Sequence, residues 1–258
     1  MLEGFHLRVE RLIGAVLGPQ GFALGGGYGL QVHGLVDRLS DDLDNYTASM
    51  DPNAFVKADR SICAALREDG LEAQVISSDS WFRQIIVSGP RSGERVSVDL
   101  GYDYRQHEPV IVSGVGPVVA VEDVILGKVR ALSDRAAERD FFDVDAILTS
   151  GRWTAQDLYS IMKVIRPEWS MHQFQELLRS AHRGNPVVYE SLGMNTEQIK
   201  AMCGRLSDQS TALENEPAAY TQAPNDAGRS SRCRVCHRPL RLPESIQRGF
   251  GPGCAKKS

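Results

Sequence analysis

The chain has 258 residues, of which 42% are hydrophobic and 24% are charged, a composition typical of one medium-sized domain with a smaller addition. No apolar run approaches the ~20 residues that a membrane helix needs, and the N-terminus lacks the basic and apolar segments of a signal peptide. We therefore expect a cytoplasmic protein without a membrane partner. In that compartment the five cysteines are more typical of thiols or metal ligands than of disulfides.

The net charge of −4 is unevenly distributed along the chain. Residues 229–258 contain eight Lys/Arg and one acidic residue, a net +7, whereas residues 1–228 contain 21 Lys/Arg and 32 Asp/Glu, a net −11. An acidic body with a basic tail favours an anionic partner for the tail. A tail that only aids solubility is the alternative.

The first half of the sequence mixes helical and strand patterns. An amphipathic helix is predicted over 2–17, and a short apolar run at 22–24 ends in a glycine triplet. The next predicted elements, in chain order, are a helix at 29–36, a strand at 43–47, a helix at 52–68 capped by Ser49 or Asp51, and strands at 72–77, 82–88 and 95–100, the last two joined as a hairpin.

The second half is predicted to be helical from residue 122 onward. Apolar residues at helical spacing form one stripe in 124–132 and another in 141–148, and further helices are predicted at 154–163, 170–181 and 195–206. A mixed segment followed by helices indicates the α+β class. The predicted organisation is a core at 1–120, a helical domain completing the site at 121–206, a flexible polar linker at 207–231 and a small Cys-rich module at 232–258.

Three aspartates are candidates for a metal site. Asp42 and Asp44 are two residues apart on a predicted strand, so their side chains face the same side. Asp99 ends the strand 95–99, and its neighbours Val96 and Val98 are predicted to face the core. If the two strands are adjacent, three repelling carboxylates converge, and a bound cation relieves the repulsion. Taken singly, each aspartate is also typical of a solvated loop, a cap or the surface.

The glycine triplet Gly25–Gly27 precedes these carboxylates. Glycine lets backbone N–H groups approach a phosphate closely, and a following helix N-terminus favours an anion. The lysine spacing of a Walker site is absent, and a plain turn is the alternative.

Nucleotide transfer from a nucleoside triphosphate depends on positioning and charge neutralisation. A pair of Mg²⁺ ions supplies much of that neutralisation.

Two blocks of the sequence resemble the AbiEii/AbiGii-type nucleotidyltransferase toxins, which include the MenT toxins. Leu24-Gly-Gly-Gly-Tyr-Gly-Leu and then Arg38-Leu-Ser-Asp-Asp-Leu-Asp44 resemble that family's Gly-Gly-Ser/Thr turn and Arg-x-Ser-x-Asp-x-Asp pattern. Residues 128–143 resemble its Lys-x-x-Ala-Leu…Arg…Arg-Asp-x-x-Asp segment. The resemblance covers roughly residues 1–205. Tyr28 departs from it, because the family usually has Ser or Thr there, which leaves the role of this position open.

The resemblance implies a polymerase-β-like nucleotidyltransferase core, a mixed sheet with flanking helices, followed by a helical half. It implies Mg²⁺ ligands at Asp42 and Asp44 with Asp99 as the third, and a catalytic role for Asp140 or Asp143. The implied nucleotide-binding residues are Gly26, Gly27, Tyr28, Arg38, Ser40 and Lys128. From the residues alone, Lys128 could instead form a structural ion pair, and Arg135 and Arg139 could tie two helices together.

The function that the resemblance implies is Mg²⁺-dependent transfer of a nucleotide from an NTP to RNA. In characterised family members the acceptor is the 3′ end of tRNA, and the enzymes act as toxins paired with an antitoxin or in phage defence. One alternative is an adenylyltransferase or AMPylating enzyme that modifies a protein or a small molecule. Another is a non-catalytic nucleic-acid-binding relative, which Tyr28 favours and the intact carboxylates argue against.

The tail contains Cys233-x-x-Cys236-His237 and, further on, Cys254, a pattern typical of Zn²⁺ sites. The fourth ligand is open, with His237 and Cys203 as candidates. The same motif matches haem attachment, although no export signal accompanies it. The segment resembles short zinc-ribbon-like modules, in which metal replaces an apolar core. Its arginines predict contact with RNA phosphates, and a stabilising cap is the alternative.

Overall fold

The computed structural model describes residues 4–213. The helices of this part are α1 (Gly4–Leu17), α2 (Gly26–Val32), α3 (Pro52–Glu68), α4 (Val121–Arg135), α5 (Glu138–Thr149), α6 (Ala155–Ile165), α7 (Met171–Arg179), α8 (Pro186–Ser191) and α9 (Thr196–Ala212). The strands are β1 (Phe22–Leu24), β2 (Asp42–Thr47), β3 (Glu72–Ser78), β4 (Phe82–Ser88), β5 (Arg95–Tyr102), β6 (Val110–Val112) and β7 (Gly116–Val118). Short 3₁₀ turns follow α1 and α7.

The strands form one mixed sheet in the order β3-β4-β5-β2-β1-β7-β6. The pairs β2–β5 and β1–β7 are parallel, and the other pairs are antiparallel. The helices α1 and α3 cover one face, where Ile13, Phe55 and Ile62 pack with Leu43 and Val98 in a common apolar cluster. Side chains alternate along a strand. Asp42 and Asp44, which flank Leu43 in β2, therefore face the side of the sheet opposite to α1 and α3.

A second apolar cluster lies among the helices α4 to α9. It includes Val129, Phe141, Phe174 and Met202, and it extends to Leu30 of α2. All described residues belong to one compact unit. The predicted division of this unit at residue 120 therefore stays a prediction.

The predicted fold class is confirmed, since a mixed sheet with flanking helices is followed by a helical half. The helix predicted at 52–68 has those bounds, and its cap is Asp51, which accepts a hydrogen bond from the Asn53 N–H at 3.0 Å. The hairpin of β4 and β5 is also confirmed.

Several boundaries differ from the prediction. The helix predicted at 29–36 begins at Gly26, because the Gly29 N–H already bonds the Gly25 carbonyl at 2.6 Å, and it ends before Gly34, whose φ is +71°. The strands β6 and β7 and the short helix α8 were not predicted. Each is too short to show a clear period.

The last helix, α9, continues to Ala212, so the predicted linker does not begin at residue 207. The rest of that linker lies outside the described residues, as do Cys233, Cys236, His237 and Cys254 of the predicted zinc module. Within the described part of the chain, no helix combines the length and apolar character needed to cross a membrane.

Candidate active site

The strands β2 and β5 bring three aspartates together. They pair in parallel with Asp44 opposite Asp99 and Asp42 opposite Ser97. One carboxylate oxygen from each of Asp42, Asp44 and Asp99 lies within 4.8 Å of the others. The neighbours Val96 and Val98 are buried on the opposite face. The two strands are therefore adjacent, a point that the sequence had left open, and their pairing creates a concentrated negative charge.

Each of these carboxylates accepts a hydrogen bond from a hydroxyl group two residues away along the chain. The bonds run from Ser40 Oγ to Asp42 Oδ1 (3.0 Å), from Tyr46 Oη to Asp44 Oδ1 (3.0 Å) and from Ser97 Oγ to Asp99 Oδ1 (2.9 Å). The amide of Gln84 also donates to Asp99 Oδ1 at 3.3 Å. No described residue donates to the Oδ2 atom of any of the three. Each carboxylate is thus oriented and keeps one oxygen for a ligand.

The electrostatics of the group favour a cation. The pKa of Asp44 is raised to about 6, first by burial and then by the Asp42 carboxylate, against the lowering effect of Lys128. Burial also raises the pKa of Asp99, and Asp42 adds to the increase. A divalent ion among these groups would remove the repulsion and keep all three ionised.

The glycine turn lies directly against this group. Gly26 has a φ of +56°, and a Cβ atom at this position would lie 1.8 Å from Asp44 Oδ2. A Cβ on Gly27 would lie 2.6 Å from Ser40 Oγ. The turn is also joined to β2, because the Gly25 N–H donates to the Asp44 carbonyl at 2.8 Å. Side chains at Gly26 and Gly27 would displace the groups that they face.

A cavity of about 290 Å³ opens beside the carboxylates. Its walls include Gly25–Gly27, Asp42, Asp44 and the side of α4 that carries Lys128. The cavity therefore joins the glycine turn, two of the three carboxylates and a basic wall in one space.

The second sequence block supplies that basic wall through two ion-pair networks. Asp143 is fully buried and accepts from Arg38 Nη2 (2.8 Å) and Lys128 Nζ (2.8 Å). Asp140 is also fully buried and binds Arg135 Nη2 at 2.8 Å, while the Ala137 N–H donates to its Oδ2 at 3.2 Å. Neither Asp140 nor Asp143 lines the cavity. Lys128 therefore does form the structural ion pair that the sequence left open, with Asp143.

A family model described as the nucleotidyl transferase AbiEii toxin of type IV toxin–antitoxin systems matches residues 10–221. The chain belongs to the AbiEii family. It is accordingly a nucleotidyltransferase. A second model, a family of unknown function designated DUF6011, matches residues 223–258. No curated protein matches the chain.

Solved structures support the AbiEii fold. A candidate nucleotidyltransferase from H. pylori is 16% identical, with a TM-score of 0.53 over 79% of this chain and 91% of that chain. The nucleotidyltransferase toxin MenT4 from Mycobacterium tuberculosis H37Rv is 18% identical, with a TM-score of 0.51 over 80% of this chain and 84% of that chain. At these identities the likeness shows the fold alone.

Tyr28 is the predicted nucleotide-binding residue that the AbiEii fold buries outside the lining of the cavity. Its side chain is 1% exposed, packs in the core beneath α1 with its ring 5.8 Å from that of His6, and does not line the cavity. The other predicted residues, Gly26, Gly27, Arg38, Ser40 and Lys128, all line the cavity.

Sequence reasoning missed some residues of the AbiEii cavity. Tyr46 had a usable signal, because its spacing of two from Asp44 puts both on one strand face. Asp103 and Arg130 form an ion pair of 2.7 Å at the cavity wall. The sequence carried no signal for either residue. Their pairing depends on how the loop after β5 meets α4.

Proposed function

We propose that this AbiEii nucleotidyltransferase moves a nucleotide from an NTP to RNA, at the 3′ end of tRNA, and acts as a toxin. The observation that supports the chemistry is the convergence of Asp42, Asp44 and Asp99 beside the Gly26–Gly27 turn. The family description supports the toxin role. RNA as the acceptor, Mg²⁺ as the cofactor and a cognate antitoxin as a partner are parts of the proposal.

The carboxylate group suits Mg²⁺. Its candidate metal ligands are all oxygen atoms, which hard cations such as Mg²⁺ prefer. Each carboxylate also keeps one oxygen that accepts no hydrogen bond from a described residue. Asp42, Asp44 and Asp99 would hold a two-ion site. When bound, such ions supply activation of the attacking hydroxyl and neutralisation of the leaving phosphates.

The remaining residues position the reactants. Gly26 and Gly27 line the cavity, and glycine lets backbone N–H groups approach a phosphate closely. The Lys128 ammonium group forms one ion pair, with Asp143. Because an ammonium group has three N–H donors, Lys128 can also bind the triphosphate. Asp99 would orient the attacking hydroxyl or accept its proton. Asp140 and Asp143 act through the cations that they hold, Arg135, Arg38 and Lys128.

The basic tail is proposed to hold the RNA. Residues 229–258 carry a net charge of +7, and basic residues bind the phosphate backbone with strong salt dependence. We also propose that Cys233, Cys236 and Cys254, with His237 or another ligand, bind Zn²⁺ there. Deletion of 229–258 should weaken RNA binding and reduce its salt dependence. Unchanged values for both would exclude this role.

The transfer reaction is tested with radiolabelled NTPs, purified tRNA and Mg²⁺. Label should enter tRNA, disappear when EDTA is added, and be lost in Asp42→Asn. The control is Glu68→Gln, an exposed carboxylate on α3 away from the cavity, which should keep activity. Sequencing the RNA 3′ ends then identifies the added nucleotide. An Asp42→Asn variant with full activity would refute the metal assignment.

The rival functions are tested in the same assay. Total protein and aminoglycosides are offered as acceptors in parallel with tRNA. Label in protein or in an aminoglycoside, but not in RNA, would identify an adenylyltransferase or AMPylating enzyme. RNA binding without label in any acceptor would indicate a non-catalytic relative.

A further inference from the structure

The cavity wall carries several cations whose partners differ. Among the described residues, the basic side chains that line the cavity are Arg38, Lys128, Arg130, Arg135 and Arg139. A nucleoside triphosphate is a polyanion, so the cations that are not already neutralised by the protein decide where its phosphates bind.

Four of these cations are held by protein carboxylates. Arg38 and Lys128 share one buried aspartate, Asp143, each at 2.8 Å. Arg130 contacts Asp103 at 2.7 Å, and Arg135 contacts Asp140 at 2.8 Å. For Arg38, Arg130 and Arg135 the contacts involve two guanidinium nitrogens each, so a carboxylate already offsets the positive charge of each of these side chains.

Arg139 differs from the other four. It is half-buried at the second position of α5 and lines the cavity, yet it makes no hydrogen bond or ion pair with any described residue. The adjacent carboxylate, Asp140, is committed to Arg135. A guanidinium has five donors and no acceptor and stays charged. A half-buried, unpaired guanidinium facing a cavity therefore has its full charge available for an anion.

We propose that Arg139 binds the triphosphate of the donor nucleotide. This assignment rests on the nucleotidyltransferase activity and not on the identity of the acceptor. The planar guanidinium matches two phosphate oxygens at once. The same cavity contains Gly26, Gly27 and the metal-binding candidates Asp42 and Asp44, so a phosphate beside Arg139 lies in the space where the transferred nucleotide must be held. A phosphate of the RNA backbone is the competing source of the same chemistry.

The test measures equilibrium binding of a non-hydrolysable NTP analogue in Mg²⁺, without any acceptor. Arg139→Gln should weaken binding about 10- to 100-fold, the usual value of a lost charge-assisted pair. Arg139→Lys should recover part of the affinity. The matched control is Arg60→Gln, an exposed arginine on α3 with no described partner, which should bind the analogue normally.

Two further measurements separate a binding role from a structural one. The melting temperature of Arg139→Gln should equal that of the wild type, since no described ion pair is broken. RNA binding by the full chain should also be unchanged. Unaltered analogue affinity would overturn the proposal, as would a loss confined to RNA affinity. Strong analogue binding by the wild type without transfer to RNA would contradict the proposed acceptor and leave the assignment of Arg139 standing.

Discussion

Asp44 on β2 and Asp99 on β5 are register partners in a parallel pair of strands. Their separation is therefore set by the hydrogen-bonded backbone, and neither side chain can move far from the other. With Asp42 they form a group of three carboxylates within 4.8 Å. Such a preorganised cluster destabilises the metal-free protein and is relieved by a cation.

Asp44→Asn should stabilise the metal-free protein. The pKa of Asp44 is raised to about 6, so its ionised form opposes folding at neutral pH, by about 1–3 kcal/mol. We expect a higher melting temperature for the variant in EDTA. Added Mg²⁺ should raise the melting temperature of the wild type and not that of the variant. A variant that Mg²⁺ stabilises as much as the wild type would contradict the assignment.

Tyr46→Phe should weaken metal binding while keeping the fold. The change removes only the hydroxyl that donates to Asp44 at 3.0 Å. The ring would keep its place between Gly25 and Gly101, where Cβ atoms would lie within about 3 Å of it. Loss of a group that orients a ligand typically reduces metal affinity about 10- to 100-fold. The Mg²⁺ concentration for half-maximal activity measures this effect, and an unchanged value would show that the hydroxyl does not orient Asp44.

Gly26→Ala should inactivate the enzyme, whereas Gly34→Ala should not. Both glycines have positive φ, +56° and +71°, so both variants share a backbone cost of about 1–2 kcal/mol. Only at Gly26 would the new Cβ overlap a side chain, that of Asp44, at 1.8 Å. A misplaced metal ligand should lower kcat by about 100-fold or more. Equal kcat values for the two variants would contradict this argument.

Glu10→Gln should change how stability depends on pH. Glu10 lies on α1, 1% exposed, and accepts a hydrogen bond from Asn45 at 3.1 Å. Burial raises its pKa from 4.5 to about 8. Its contribution to stability is therefore fully present below about pH 4.5 and is lost as the pH rises through about 8. Glutamine keeps the acceptor and cannot ionise.

Urea unfolding across this pH range measures the difference between the two proteins. From about pH 5 to pH 8 the wild type should lose about 3 kcal/mol or more relative to Glu10→Gln. A difference that does not vary with pH would show that Glu10 ionises normally in the folded state.

Asp143→Asn should destabilise the fold far more than Asp69→Asn. Asp143 is fully buried and neutralises Arg38 and Lys128, whose side chains are 10% and 13% exposed. Removing one partner of a buried pair typically costs about 3–5 kcal/mol. Asp69 pairs with Arg8 at an exposed site, where the cost is about 1 kcal/mol or less. Equal losses in urea unfolding would mean that the Asp143 network does not stabilise the fold.

Local patterns were sufficient for much of the fold and for the three aspartates. The bounds of α3 follow from its cap at Asp51, and the shared face of Asp42 and Asp44 follows from the two-residue period of a strand. The short strands β6 and β7 leave no comparable period. Their existence depends on pairing with each other and with β1.

The sequence by itself determined which side chains share a strand face, because such periods depend only on the adjacent backbone. Its resemblance to the AbiEii/AbiGii-type toxins implied that the acidic, glycine and basic groups belong to one site. Only the tertiary structure decided that β2 lies beside β5, although α3 and the hairpin partners β3 and β4 separate them along the chain. It also decided that Asp143 holds Arg38 and Lys128, that Tyr28 is buried and that Arg139 has no described partner. These outcomes depend on packing between distant segments, which no local spacing encodes.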